Sequence, residues 1–298
     1  MTTLAAPRRT APPPPSTRPR GPQHSVRAGL VAAYATLAVV AFAWLLPFLW
    51  ALNTSFKSET DASALPVSVL PEGGYTTSAY RAIVDAGNVP LWMGNSALVA
   101  VAVTVLSLVV STLTAYAFSR LDFPGRKALY VLTIASIMVP TQIFIVPLFD
   151  EMLALGLVDT YWGIILPQLI HPAMIFVLKR FFDEVPQELE DAALVDGASR
   201  LRIFLGIVLP LSRPIIAAVA IFIFIGAWNN FLWPFIVTNN PALMTLPVGL
   251  QAVTPGYGVT FALKMAQAVI AALPLIVVFV FFQRQIIRSI STTGIAGT

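Results

Sequence analysis

Six polar side chains stand inside otherwise apolar stretches of this chain: Gln142, Gln168, His171, Trp228, Asn229 and Asn230. Amides bond hydroxyl groups and an indole stacks on a sugar ring, so the set can line a path for a carbohydrate. The same groups can equally act as hydrogen-bonding glue between helices. His171 precedes Pro172, whose ring frees a backbone carbonyl one turn earlier. Its imidazole reads either as a neutral hydrogen-bonding group in a helix bundle or as a substrate contact. Nothing points to bond-making chemistry. The chain holds no G-x-x-x-x-G-K-S/T loop for ATP phosphates, no H-E-x-x-H, no nucleophilic serine elbow and no carboxylate pair within an apolar stretch. With zero cysteines it has no thiolate nucleophile, no disulfide and no cysteine-bound metal. No enzyme, metal site or bound cofactor is therefore expected.

The elements that must position these residues are membrane helices. Hydrophobic residues make up 57% of the chain and charged ones 11%, and the mean hydropathy of +0.80 is too high for a soluble surface. The expected fold class is an all-α membrane protein with six transmembrane helices, near residues 29–52, 93–118, 128–149, 160–181, 214–237 and 266–282. Of the 18 lysines and arginines, all but Lys57, Arg81 and Lys264 fall on one side of that arrangement. The positive-inside rule makes it the cytoplasmic side, with both termini there. A pI near 9.6 thus reports orientation in a bilayer and not a nucleic-acid partner. Residues 1–28, with Pro12 to Pro15 and five arginines but no carboxylate, predict a disordered cytoplasmic tail. No short apolar core with a cleavage site follows them, which argues against a removable signal peptide. Residues 287–298 predict a second cytoplasmic tail. In the second span Ala100, Thr104, Ser107, Ser111 and Thr114 repeat at spacings of four and three, a seam for close helix packing or a water path.

Residues 183–213 form the one long polar interval between spans. Pro186 suits a first helical turn, and Glu188, Glu190 and Asp191 follow where the helix dipole favours negative charge. Leu189, Ala192 and Ala193 fall at i, i+3 and i+4, a narrow apolar stripe that lets another surface come close. Gly197 can close this helix in the left-handed conformation, and Ser199 can cap the next, with Leu201, Phe204, Leu205 and Val208 on one face. The prediction is helix, glycine elbow, helix. An amphipathic helix covering its own membrane surface is the plainer alternative.

The order of residues adds to that reading. Glu190-Asp191-Ala192-Ala193, then Asp196-Gly197-Ala198, then Ile207-Val208-Leu209-Pro210 resembles the EAA loop of ABC importer permeases, with Glu190 read as the acid and Asp191 in place of the first alanine. Thr114 to Arg120 (TAYAFSR) resembles the end of that family's second span, Leu246 to Gln251 its outer loop, and Gly294-Ile295-Ala296-Gly297 its terminal glycine pattern. From about Asn53 onward the chain is similar to carbohydrate ABC importer permeases of the maltose type, specifically the second membrane subunit.

The resemblance implies a type I ABC importer permease fold over residues 29–286, with a cytoplasmic coupling helix in the 183–213 loop. It implies that Glu190 is the charged contact to a groove on the ATPase, with Asp191, Ala192 and Ala193 beside it and Asp196 and Gly197 at the elbow. Ile207, Leu209 and Pro210 complete the loop, and Asp196 is read either as a coupling group or as a bond to the elbow's backbone. Leu246, Pro247, Gly249, Gln251, Pro255 and Gly256 would meet an external sugar-binding protein. Further implied partners are a second, different permease, two ATP-binding subunits carrying ATP and Mg, and membrane lipid. The implied function is a permease subunit of an ATP-driven sugar importer in the bacterial cytoplasmic membrane. Alternatives are the same scaffold importing a polyol, glycerol phosphodiester, amino acid or peptide, an ion-coupled carrier, or a structural scaffold. No Asp, Glu, Lys or Arg near a bilayer midplane weighs against the ion-coupled carrier.

Overall fold

The computed structural model describes the backbone of residues 23–254 and 260–295, and the side chains of residues 29–254 and 260–283. Among these residues there are helices and no strand. The chain divides into two units, one ending at Trp50 and the other beginning at Ala51. The helix α1 (Gln23–Ser55) runs across that division, so residues 23–28, expected in the tail, are helical. Residues 1–22 of that tail lie outside the described residues, as do residues 296–298 of the C-terminal one.

Two short helices, α2 (Glu59–Ser63) and α3 (Ser78–Ala86), occupy the segment between α1 and the next long helix. Then comes α4 (Val89–Arg120), an uninterrupted helix of 32 residues. At about 1.5 Å per residue it is about 48 Å long, well beyond a hydrocarbon layer of about 30 Å. Asn88 caps it through Leu91 N–H, and Pro90 sits in the first turn, where a missing N–H costs nothing.

The next three crossings are broken. α5 (Arg126–Ala135) and α6 (Ile145–Ala154) flank an extended pair, Val139 and Pro140, and the two halves are bent by 98°. A proline biases the residue before it away from the helical region, and Val139 is extended at φ −88° and ψ 120°, so the expected single span 128–149 is two segments. α7 (Tyr161–Ile165) and α8 (Pro172–Glu184) meet at a 49° bend ending at His171. After α8 come α9 (Gln187–Val195), α10 (Arg200–Ile203), a widened π turn over Phe204–Val208, and α11 (Leu209–Leu211). α12 (Arg213–Trp228) leaves the α10–α11 segment at 81° and is separated by Asn229–Phe231 from α13 (Leu232–Val237). α14 (Leu246–Ala252) and the long α15 (Phe261–Ile295) finish the fold. By length and composition, three helices can cross a bilayer alone and three bent pairs raise the number to six.

Two apolar clusters hold the second unit together. One gathers Val103, Tyr116, Leu178, Phe204, Val219 and Trp233 where α4 meets α8 and α12. The other gathers Ile83, Trp92, Trp228, Leu246, Leu250 and Leu263 around the first turns of α4 and α15. α4 serves both. Its small-residue seam is the reason it packs so closely: Ala100, Thr104, Ser107 and Ser111 are all buried, so the stripe is used for packing.

Candidate functional site

Three places on this scaffold carry polar chemistry, one at each end of α4 and one at mid-depth. At the C-terminal end of α4, α9 stops in a Schellman turn. Gly197 takes φ +81°, its N–H reaches Leu194 O at 3.0 Å, and Ala198 N–H reaches Ala193 O at 2.9 Å. Only glycine takes that φ cheaply, which is why the chain turns there. Ser199 Oγ then accepts from Arg202 N–H at 3.4 Å and starts α10. Asp196 is exposed, and the elbow is closed by backbone bonds without its carboxylate.

The helix α9 lies on the last turn of α4 through charge. Arg120 Nε is 2.7 Å from Glu190 Oε1, with the two side chains 8% and 1% exposed. Arg120 Nη2 donates to the carbonyls of Phe182 and Val185, each at 2.6 Å, while Tyr116 OH donates to Glu190 Oε2 at 3.4 Å. Ser119 Oγ donates to Asp183 Oδ1 at 2.7 Å, and Lys179 pairs with the same carboxylate at 2.7 Å. One guanidinium thus closes the C-terminus of α8 and the carboxylate of α9 together.

This arrangement corrects the reading of Glu190. A carboxylate 1% exposed and ion-paired inside the protein does not present itself to another protein. The outward face of α9 is Glu188, Asp191, Ala192 and Val195, spaced i, i+3, i+4 and i+7, and Val195 is 88% exposed. Ala193 and Leu194 turn inward with Glu190 and pack against the core, so the expected stripe of Leu189, Ala192 and Ala193 is split between two faces. Counting back from Gly197, Ala192 and Ala193 are the two alanines and Asp191 is the acid before them; that interval was the signal for the outward carboxylate. In the next segment Ile203, Phe204 and Val208 are buried while Leu201 and Leu205 are exposed, because the π turn shifts the face between them. Ile207, Leu209 and Pro210 sit half-buried at the bend into α12.

At mid-depth, the breaks in the first two bent pairs and the separate gap at Asn229–Phe231 between α12 and α13 meet around one cavity of about 340 Å³. Thr141 and Gln142 come from the first break, Gln168 and His171 from the second, and Asn230 and Trp233 from the gap between α12 and α13 and the start of α13. Asn230 Nδ2 donates to Gln168 Oε1 at 2.7 Å, and Gln168 Nε2 donates to Ile164 O at 2.8 Å. Trp233 Nε1 is spent on Gly163 O at 3.1 Å, which fixes its ring in the wall. His171 Nε2 is buried with no hydrogen-bond partner among the described residues. Gln142, Gln168, His171 and Asn230 are thus brought together as the sequence suggested. Trp228 and Asn229 are not. Trp228 Nε1 bonds Ala271 O at 3.2 Å inside the second apolar cluster, and Asn229 is exposed away from the cavity, one helical residue out of register with its neighbour. Trp233 and Thr141 were missed because nothing local distinguishes them from wall residues.

At its N-terminal end, α4 holds the loop before α14. Trp92 Nε1 donates to Pro241 O at 3.3 Å, Asn95 Nδ2 to Ala242 O and Met244 O at 2.9 Å each, and Ser96 Oγ accepts from Leu246 N–H at 2.8 Å. Tyr161 OH donates to Asn95 Oδ1 at 2.7 Å, and Asp159 Oδ1 accepts from Asn239 and Asn240 N–H. Glu59 caps the first turn of α15 through Ala262 and Leu263 N–H. A Cβ at Gly87 or Gly249 would run into the Trp92 ring. Leu246 and Gly249 are therefore buried packing residues and cannot meet an external protein, which corrects the expectation for them; Pro247 is half-buried and Gln251 exposed. The accessible part of this loop is Asn239 to Ala242. Pro255 and Gly256 lie outside the described residues.

Three helices and three bent pairs apolar enough to cross a bilayer, with a cavity among them, mark a multi-pass membrane protein. Residues 107–292 match the family described as binding-protein-dependent transport system inner membrane component, and the chain belongs to that family. It is similar to the arabinooligosaccharides transport system permease protein AraQ of Halalkalibacterium halodurans, 34% identical over 87% of this chain and 94% of the relative. It is also similar to the diacetylchitobiose uptake system permease protein NgcG of Streptomyces coelicolor (34%, 87% and 86%) and the sn-glycerol-3-phosphate transport system permease protein UgpE of Brucella abortus (30%, 86% and 93%). The crystal structure of a bacterial ABC transporter involved in the import of the acidic polysaccharide alginate shares the fold, with a TM-score of 0.73 at 22% identity over 90% of this chain and 99% of the other. The protein is thus a multi-pass permease component of an ABC importer in the cytoplasmic membrane. It is not an enzyme, and it works with separate ATPase components and a substrate-binding protein.

Proposed function

We propose that this subunit forms half of the translocation path of a sugar importer, the second half coming from a different permease. The observation that carries this is the meeting of three helix breaks around one neutral, hydrogen-bonding cavity. Non-helical backbone at membrane depth is tolerated where it lines a cavity, and broken helices supply the binding groups of many transporters. Gln142 and His171 Nε2 offer bonds not used within the protein. No Asp, Glu, Lys or Arg lines the cavity, so it suits an uncharged, hydroxyl-bearing solute better than a phosphate ester. The sugars for which two relatives are named, an arabinooligosaccharide and diacetylchitobiose, have that chemistry.

The outward face of α9 is the coupling surface in this reading. It docks on one of two ATP-binding subunits, where ATP and Mg are bound, and both termini are cytoplasmic. ATP-driven closure of those subunits pulls the docked helix and opens the cavity toward the binding protein, which rests on the accessible loop at Asn239 to Ala242. The test is uptake by the reconstituted importer with Gln168→Leu, Asn230→Leu and Asn229→Ala. The first two raise KM for the transported sugar with ATPase stimulation retained, and the third does not. Unchanged uptake kinetics in both Gln168→Leu and Asn230→Leu would remove the cavity from the path.

A further inference from the structure

Motion picked up by α9 has two ways to reach the rest of the molecule. The route along the chain is jointed. It passes Gly197 at φ +81°, a π turn at Phe204–Val208 and an 81° bend into α12. Glycine elbows and widened turns are where helical structure yields. The route through space has no joint. Glu190 is held by Arg120 and Tyr116, and both of these belong to the final turns of α4.

The pair is built to stay closed. Its side chains are 8% and 1% exposed, so water cannot take over either charge while the other remains. The guanidinium is further committed to two carbonyls at the end of α8, so α8, α9 and α4 are pinned at one point. From that point α4 runs 32 residues without an internal break. Its opposite end grips the outer loop through Trp92, Asn95 and Ser96. Both apolar clusters include α4, so neither end can shift alone without opening packed core.

We propose that α4 is the rigid strut of this subunit, that Arg120 is the positioning residue that fastens the coupling helix to it, and that movement at α9 is delivered through it to the outer loop at Pro241–Leu246. The segment from Gly197 to Arg213 is then a compliant joint that lets α12 swing relative to the strut. The proposal rests on the reading that α9 docks on the ATPase. It differs from that reading in naming the path by which the motion leaves α9.

The absence of native cysteine makes the test direct. Val195, Leu113 and Phe222 are exposed positions on α9, α4 and α12. Spin labels on Leu113→Cys with Val195→Cys, and on Val195→Cys with Phe222→Cys, are read in the assembled importer without nucleotide and with ATP trapped. The α9 to α4 distance stays within the shift of about 1–2 Å seen between packed helices, and the α9 to α12 distance changes by more. An α9 to α4 change as large as the α9 to α12 change overturns the strut. If neither distance changes, and Val195→Cys is labelled equally with and without the ATPase, the docking reading fails first and the strut falls with it.

A functional arm separates positioning from simple folding. Arg120→Gln with Glu190→Gln removes both charges together, so the double variant keeps the assembly and basal ATPase rate of the parent. It loses about 5–150-fold in sugar imported per ATP hydrolysed, the range of ordinary coupling between sites. Parental transport per ATP in the double variant contradicts the role given to Arg120. Loss of assembly in the double variant also contradicts it, since the pair would then serve stability alone.

Discussion

The clasp at the C-terminal end of α4 and the cavity at mid-depth are both polar patches inside an apolar protein, and they are built in opposite ways. The clasp sets charge against charge: Arg120 is ion-paired with Glu190 and bonds two carbonyls, and Tyr116 adds another bond. The cavity uses amides and an imidazole, and it leaves bonding capacity open at Gln142 and His171. A joint that transmits force needs one geometry, which a buried ion pair and the bonds around it enforce. A path that lets a solute pass needs groups that can change partners at small cost. The same contrast separates the helices: α4 is continuous, while the cavity is made at the Val139–Pro140 break, the bend at His171 and the Asn229–Phe231 gap.

Breaking the clasp from one side should have the severest consequence. Arg120→Leu strands the Glu190 carboxylate in the core and costs about 3–5 kcal/mol. The expected outcome is a clear drop in thermal stability of the purified importer with uptake abolished; near-parental stability would show that Glu190 can reach water. A milder disturbance at the other end of α4 is Gly249→Val, whose side chain meets the Trp92 ring. Overpacking of this kind costs about 1–3 kcal/mol. It should weaken stimulation of the ATPase by the binding protein more than the basal rate, measured by phosphate release. Gly197→Val meets no neighbour, and its penalty is the left-handed φ alone, about 1–2 kcal/mol. A partial loss of uptake with a small shift in melting temperature is expected there. Asn229→Ala, lying outside the cavity, should leave uptake within experimental error; a raised KM would move the cavity wall to include it.

Local signals made the coupling segment readable from sequence. Pro186, Gly197 and Ser199 each act within a few residues, and the structure uses Gly197 and Ser199 as the spacing implies. The inward turn of Glu190 could not be read that way. It depends on Arg120, seventy residues earlier, and on the depth at which α4 ends. Leu246 and Gly249 were similarly hidden, because their burial depends on a tryptophan at the start of a different helix. The cavity was half legible. Amides in apolar stretches marked its lining, but Trp228 and Asn229 resemble Trp233 and Asn230 in every local respect. Only the break at Asn229–Phe231, which carries no proline, decides which pair faces inward.

The central claim is that the face of α9 carrying Asp191, Ala192 and Val195 is gripped by a nucleotide-hydrolysing partner. The measurement is labelling of Val195→Cys by a bulky water-soluble maleimide, in the isolated permease pair and in the complete importer. Rapid labelling in the first and strong protection in the second is the predicted result, with a disulfide or crosslink to the ATPase recoverable from the protected sample. Equal labelling in both, with the importer active, would contradict the account.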